Sequence, residues 1–235
     1  MDSLYVVMPA YNEEANIETV VKQWYPVLLG KDEKSRLVIA DAGSTDRTHK
    51  ILKTLQEAYP QLEILSDSEK QHGPKVLALY DKAIQDGIDY VFQTDSDGQT
   101  DPAEFDGFWK DRVNYDGIFG NRIVRGDGKS RAMVEKVVCA LLRHYFKVHV
   151  PDANAPFRLM KVSVLAKYIG RLPKDYNIPN IMLTAYFVHY REKVSFQEIS
   201  FKPRQGGKNS INIRKIVKIG CKALSDFRTF KKGMQ

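Results

Sequence analysis

Asp95-Ser96-Asp97-Gly98-Gln99 decides how the rest of this chain reads. It follows a short apolar run, Tyr90-Val91-Phe92-Gln93-Thr94, whose turn-bounded composition predicts a buried strand. Two carboxylates two residues apart at a strand end can face one point in space, and the carboxamide oxygen of Gln99 can join them. Hard oxygen ligands of this kind suit Mg2+ or Mn2+, ions usually bound by one or two carboxylates plus the phosphates of a substrate. The same five residues in isolation also read as a solvated acidic turn, and the surrounding sequence has to separate the two readings.

Upstream, strands alternate with helices. Strands are predicted over 4–8, 36–40 and 62–65, and helices over 14–29, 45–59 and 75–86. The helices are read from apolar spacing such as Ile17, Val20, Val21, Trp24 and Leu28, with Pro60 and Gly87 as stops. Such alternation with short loops predicts an α/β fold, a mostly parallel central sheet with helices on both faces. In sheets of this kind ligands bind beyond the carboxyl ends of the strands. Three polar clusters fall there, at residues 9–13, 41–46 and 95–99.

Two of these clusters have a plain structural reading. Asn12 can cap the first helix, with Glu13 and Glu14 favouring its positive end, and Ser44 or Thr45 can cap the second. Capping does not explain Asp41, a carboxylate at the sheet rim before a tight turn at Gly43, where it can accept the N–H of a nucleotide base.

Downstream, a strand at Ile118-Phe119 leads through Gly120-Asn121-Arg122 into a Gly-rich loop and a long helix over about 130–147. A loop at 152–156, a short apolar segment at 157–160, a helix over 178–189, a strand over 194–201 and a last helix from 212 to about 230 complete the chain. The expected organisation is a catalytic domain over 1–201, its nucleotide and metal half reaching about 120 and its acceptor half 121–201. A basic loop and an amphipathic C-terminal helix follow over 202–235.

Of 235 residues, 43% are hydrophobic and 28% charged, the balance of a soluble globular protein. No segment approaches the ~18 consecutive apolar residues of a membrane span, and the N-terminus does not read as a signal peptide. Cys139 and Cys221 lack metal-ligand spacing and read as thiols in a reducing compartment, so a cytoplasmic location is expected. The five histidines show no ligand spacing either. The net charge of +7 is uneven: residues 202–235 hold ten Lys and Arg against one acid, Asp226. On the last helix Ile213, Ile216, Val217, Leu224 and Phe227 share one face, and Arg214, Lys215, Lys218 and Lys222 lie largely on another. Such a helix suits an anionic membrane surface, through residues 211–232, or a solvated basic face packed on the body. Before it, Gly206 and Gly207 permit close backbone approach, Asn209 or Ser210 starts a helix whose N-terminus attracts anions, and Arg204 and Lys208 add positive charge.

Pro9, Tyr11, Asn12 and Glu13, then Asp41, Gly43, Ser44 and Asp46, then Asp95 and Asp97, stand in an order and spacing that resemble the inverting family 2 glycosyltransferases of the GT-A, Rossmann-like fold. Within that family the chain is similar to the dolichol- and polyprenyl-phosphate sugar synthases, which carry Asp-x-Asp-x-Gln, matched at Gln99. Their later Gly-x-Arg, Asp and Phe-Arg signatures are matched by Gly120-Asn121-Arg122, by Asp152 and by Phe157-Arg158, and Arg131 fits a further arginine. The resemblance implies a nucleotide site at Pro9, Ala10, Tyr11, Glu13, Asp41 and Ser96, with Lys75 nearby. It implies a metal site of Asp95, Asp97 and Gln99 for Mg2+ or Mn2+, and phosphate positioning by Arg122, Arg131, Arg158, Arg204, Lys208 and Ser210. Asp97, Arg122, Asp152, Arg158 and Arg204 are the expected catalytic group.

One departure bears on the acceptor. Relatives that glycosylate a hydroxyl often place an acid, as general base, just before the helix at 178–189; here the stretch is Tyr176-Asn177-Ile178-Pro179-Asn180, with Asp175 the nearest acid. A phosphate acceptor is already an anion and needs no base, whereas a sugar hydroxyl does. The implied partners are therefore a nucleoside diphosphate sugar donor and a polyprenyl phosphate, with Asp152 or Asp175 as the base if the acceptor is a saccharide hydroxyl. The enzyme is expected peripheral at the inner face of the cell membrane. A sugar nucleotidyltransferase would instead open with a Gly-rich, basic phosphate loop after the first strand. A nucleic-acid-binding module would explain the basic tail but not three acidic strand ends, so no nucleic-acid partner is expected.

Overall fold

The computed structural model describes residues 1–126, 128–204 and 225–232. Its strands are β1 (Leu4–Ala10), β2 (Arg36–Asp41), β3 (Leu62–Leu65), β4 (Tyr90–Thr94), β5 (Gly117–Arg125), β6 (Phe157–Lys161) and β7 (Val194–Phe201). They join in one sheet ordered β3-β2-β1-β4-β6-β5-β7. Only β6 runs against its neighbours β4 and β5; the other pairings are parallel. Because β6 reverses direction twice over, β5 and β7 point the same way as β1, β2 and β4. The carboxyl ends of all of them therefore share one edge of the sheet.

The helices are α1 (Ile17–Trp24), α2 (Thr48–Ala58), α3 (His72–Gln85), α4 (Phe105–Asp111), α5 (Lys129–Phe146), α6 (Val162–Ile169) and α7 (Pro179–His189), and residues 225–232 are helical. They cover both faces of the sheet, and β1 shows why. Its side chains alternate, Tyr5 and Val7 entering one core while Leu4, Val6 and Met8 enter the other. The first core lies under α3, α5, α6 and α7; the second, under α1, α2 and α4, is centred on Trp24, Phe92, Phe105, Phe108 and Phe157. Among the described residues no helix is long and apolar enough to cross a membrane.

Several elements differ from their predicted bounds for local reasons. The first helix stops at Trp24 and tightens into a 3-10 turn over Tyr25–Leu28, with Pro26 in its first turn. α3 starts at His72, three residues early, because Gly73 and Pro74 sit in its first turn, where the missing proline N–H is not needed. β5 is longer than Ile118-Phe119 and runs through Gly120-Asn121-Arg122 to Arg125. The short apolar segment at 157–160 is β6, the antiparallel strand that joins the two halves of the sheet. α4 and α6, of seven and eight residues, are too short to show a helical period convincingly and were not anticipated. Of the basic C-terminal region, residues 205–224, with Lys208 and Ser210, lie outside the described residues.

Candidate active site

The loops after β1 and β2 are zipped together by side chains, and this replaces the expected helix caps. α1 begins after Asn16, whose side chain makes no capping bond, and α2 after Arg47. Asn12, with φ of 55°, accepts from the Thr45 N–H at 2.8 Å, and its own N–H donates to Ser44 Oγ at 3.0 Å. The Glu13 N–H donates to Thr48 Oγ1 (2.8 Å) and the Glu14 N–H to Asp46 (3.1 Å). Asp41 is part of the same zipper. Ser44 Oγ donates to one of its oxygens at 2.5 Å, His49 Nδ1 lies 3.1 Å from the other, and the side chain is buried away from the cleft. Both oxygens thus have partners that fix the loop, and Asp41 is not among the residues that line the cleft.

Over the shared strand edge lies a cleft of about 460 Å3. Pro9, Ala10, Tyr11, Glu13 and Lys75 line it from the β1 side, Asp95, Ser96, Asp97 and Gln99 from the β4 end, and Arg122, Arg131 and Arg204 from the far side. The Ser96 hydroxyl donates to Pro9 O (2.8 Å), tying the β4 end to β1. Lys75 does the same from α3: its ammonium donates to Ala10 O, faces the Tyr11 ring at 5.4 Å, and is pushed down to about 8 by burial.

Asp95 and Asp97 face this cleft together. Burial first, and then the Asp95 charge, push Asp97 up to about 7, against the opposing pull of the Gln99 N–H and Arg204. Two carboxylates that repel each other in a partly buried cleft fit a divalent cation. Among the described residues no group of three His, Cys, Asp or Glu side chains is placed to hold an ion unaided. An ion held here would take Asp95, Asp97 and the Gln99 side-chain oxygen from the protein and its remaining oxygens from phosphates and water. Gln99 braces the pair: its N–H donates to Asp97 Oδ1 (3.2 Å) and its amide nitrogen to Lys202 O (2.8 Å), fixing the end of β7. Just beyond, Arg204 grips both oxygens of Glu13 (2.5 and 2.6 Å) and lies 3.6 Å from Asp97.

Arg122 and Asp152 form a bidentate pair at 2.7 and 2.8 Å, with Glu135 of α5 3.3 Å from the same guanidinium. Arg122 reaches the cleft from this pair, while Asp152 lies behind it. Arg158 departs furthest from expectation. It is 0% exposed, does not line the cleft, and donates to Ala153 O, Ala155 O, Asn180 O and Thr184 Oγ1 at 2.9–3.3 Å. It clamps β6 to α7 and cannot touch a bound phosphate from there.

Other residues belong to the site without any motif to announce them. His72 Nε2, from the first turn of α3, stands 3.3 Å from Asp95, and Lys70 faces the Tyr11 ring at 4.9 Å. A buried relay runs from Tyr80 to Asn180 (3.1 Å), to Gln93 (2.9 Å), to Asp95 (3.3 Å). Gln93 carried the only available signal, a carboxamide in an otherwise apolar strand one residue from the Asp95 segment.

A mostly parallel α/β sheet carries paired carboxylates and arginines over its strand ends, the edge at which sheets of this kind bind their ligands. Residues 5–169 match the family model for glycosyl transferase family 2, and the chain belongs to that family. An uncharacterized glycosyltransferase of Synechocystis is 26% identical over 222 residues, 91% of this chain and 65% of the relative. The UDP-N-acetylglucosamine–dolichyl-phosphate N-acetylglucosaminyltransferase of Methanococcus voltae is 31% identical over 114 residues, 43% of each chain. The undecaprenyl-phosphate 4-deoxy-4-formamido-L-arabinose transferase of Pseudomonas aeruginosa is 25% identical over 183 residues, covering 76% of this chain and 53% of its own. The chain thus spans 65% or less of these relatives. The GT-A fold is shared with glucosyl-3-phosphoglycerate synthase from Mycobacterium tuberculosis, solved with Mn2+, UDP-glucose and glycerol 3-phosphate. The two superpose with a TM-score of 0.69 at 17% identity, over 100% of this chain and 81% of that one.

Proposed function

We propose that this chain transfers a sugar, with inversion, from a nucleoside diphosphate sugar to a polyprenyl phosphate at the cytoplasmic face of a membrane, using Mg2+ or Mn2+. The observation that carries this reading is the charge inventory of the cleft. Its carboxylates are Glu13, Asp95 and Asp97, and Glu13 is held by Arg204. Asp152 is paired with Arg122 behind the wall, and Asp175 is exposed outside the cleft. Among the described residues no carboxylate is thereby placed to deprotonate a hydroxyl, while Lys70, Arg131 and Arg204 offer positive charge for phosphates. The named acceptors of the Methanococcus and Pseudomonas relatives, dolichyl and undecaprenyl phosphate, agree with it.

In this reading Asp95 and Asp97 hold the ion on the donor diphosphate, with Gln99 as a further ligand. When bound, the ion neutralises the charge that builds on the departing nucleoside diphosphate. Pro9, Ala10, Tyr11 and Ser96 border the nucleotide, and Lys75 keeps the β1 end in place beneath it. Arg122 and Arg131 orient the acceptor from the opposite side. The acceptor phosphate oxygen bonds to the anomeric carbon as the bond to the diphosphate breaks, and no proton has to move. The test is incubation with labelled UDP- and GDP-sugars, Mn2+ and either undecaprenyl phosphate in detergent or an oligosaccharide. Label is expected in the lipid phosphate; transfer to the saccharide with none to the lipid would overturn the acceptor assignment.

A further inference from the structure

The outward face of α5 has no partner among the described residues. Met133, Val134 and Val137 are 65%, 38% and 51% exposed, and Ala140 is exposed beside them. At 3.6 residues per turn Met133, Val137 and Ala140 form one stripe that ends at the exposed His144, and Lys136, Arg143 and Lys147, all exposed, run along one edge of it. The only acid on the helix, Glu135, points inward to Arg122 and accepts the Ala153 N–H at 2.8 Å. An exposed apolar stripe edged by cations and free of acids is the surface chemistry of a helix lying in an anionic headgroup layer.

Two contacts place this face relative to the rest of the molecule. At the N-terminal end of α5 Arg131, on the opposite side of the helix from Met133, lines the cleft, so the helix that carries this face starts at the cleft. At its C-terminal end Phe227 is buried against Tyr145 and Phe146, with ring centroids 6.2 and 5.5 Å away, and Arg228 lies 3.4 Å from the Tyr145 hydroxyl. This docks the basic helix at 225–232, with exposed Arg228, Lys231 and Lys232, beside the basic end of α5.

We propose that α5 is a membrane-docking surface that seats the cleft mouth on an anionic lipid bilayer. Met133, Val134 and Val137 enter the headgroup layer, and Lys136, Arg143 and Lys147 meet the lipid phosphates. The proposal deepens, and rests on, the reading of the cleft as a lipid-phosphate transferase site.

The test is flotation of the full chain with vesicles of phosphatidylcholine alone, or with about one-third phosphatidylglycerol. Transfer to undecaprenyl phosphate in detergent is measured in parallel. Binding is expected only to the anionic vesicles and should weaken as salt rises. Lys136→Ser with Arg143→Ser should lower it roughly thirtyfold, and Met133→Asp with Val137→Asp roughly tenfold or more. All four substitutions sit on exposed positions and should leave transfer in detergent unchanged. Wild-type vesicle binding by both double variants would overturn the proposal and assign docking to the C-terminal segment alone. A chain that ignores vesicles but self-associates through α5, losing that association on Met133→Asp with Val137→Asp, would overturn it in favour of a second copy. Loss of transfer in detergent by the wild type would instead count against the acceptor assignment, whatever the vesicles show.

Discussion

At the scale of single residues, the Asp95/Asp97 pair and Arg158 show how similar motif residues come to different uses. In the absence of metal the folded pair keeps a proton that the unfolded chain gives up near the ordinary carboxylate value of 3.8, because burial and mutual repulsion raise Asp97 to about 7. The folded state therefore binds more protons across that window, and stability falls as the pH rises from about 4 to about 7. Denaturant unfolding in chelator should show this slope, and Asp97→Asn should flatten it and raise metal-free stability at neutral pH; a wild type with no slope would refute the assignment. Arg158 belongs to stability. Arg158→Met removes the hydrogen bonds donated to Ala153 O, Ala155 O, Asn180 O and Thr184 Oγ1 and should cost about 3 kcal/mol or more in unfolding measurements. The motif position of Arg158 was legible in the sequence, but its direction was not. Which way a strand side chain points depends on register with β4 and β5, and those contacts are remote in the chain.

At the scale of elements, the loops carry more of the site than helix-capping rules suggest. Ser44, Thr45 and Asp46 have the composition of caps, yet their partners lie over thirty residues away on the β1 loop, apart from the short bonds to Asp41 and Thr48. Local preference could not show this, since a cap and a loop bridge use the same hydroxyls and carboxylates. The strand order was equally hidden at β6, whose five residues give no period to read. Gly73 exposes another remote constraint. A Cβ there would stand 2.2 Å from Tyr176 O and 2.5 Å from Asn177, so α3 packs directly on the segment before α7. Gly73→Ala should destabilise the fold by about 1–3 kcal/mol. It should also loosen the wall that carries His72 and Lys75, read as weaker nucleotide binding in calorimetry; unchanged stability would contradict the close packing.

At the scale of the whole molecule, the alternation of the first 120 residues was enough to place three acidic clusters along one sheet edge, and the parallel pairing of β1, β2 and β4 puts them there. The relay from Tyr80 through Asn180 and Gln93 to Asp95 was not legible, because its members come from α3, α7 and β4 and meet only in the finished core. Charge is arranged differently in two places: among the described residues the cleft mixes Glu13, Asp95 and Asp97 with Lys70, Lys75, Arg122, Arg131 and Arg204, while the outward face of α5 and residues 225–232 carry exposed cations. On the proposed reading, nucleotide binds in the sheltered cleft and lipid on the exposed cations, so raising salt should weaken vesicle binding far more than nucleotide binding. The central claim is that Asp95 and Asp97 hold a divalent cation on a nucleoside diphosphate, and titration calorimetry of UDP and GDP with and without Mn2+ tests it most directly. One of the two nucleotides is expected to bind roughly tenfold or more tightly with Mn2+, and Asp97→Ala should abolish that gain while the protein stays folded. Equal affinity with and without Mn2+, or a gain that survives Asp97→Ala, would contradict the account.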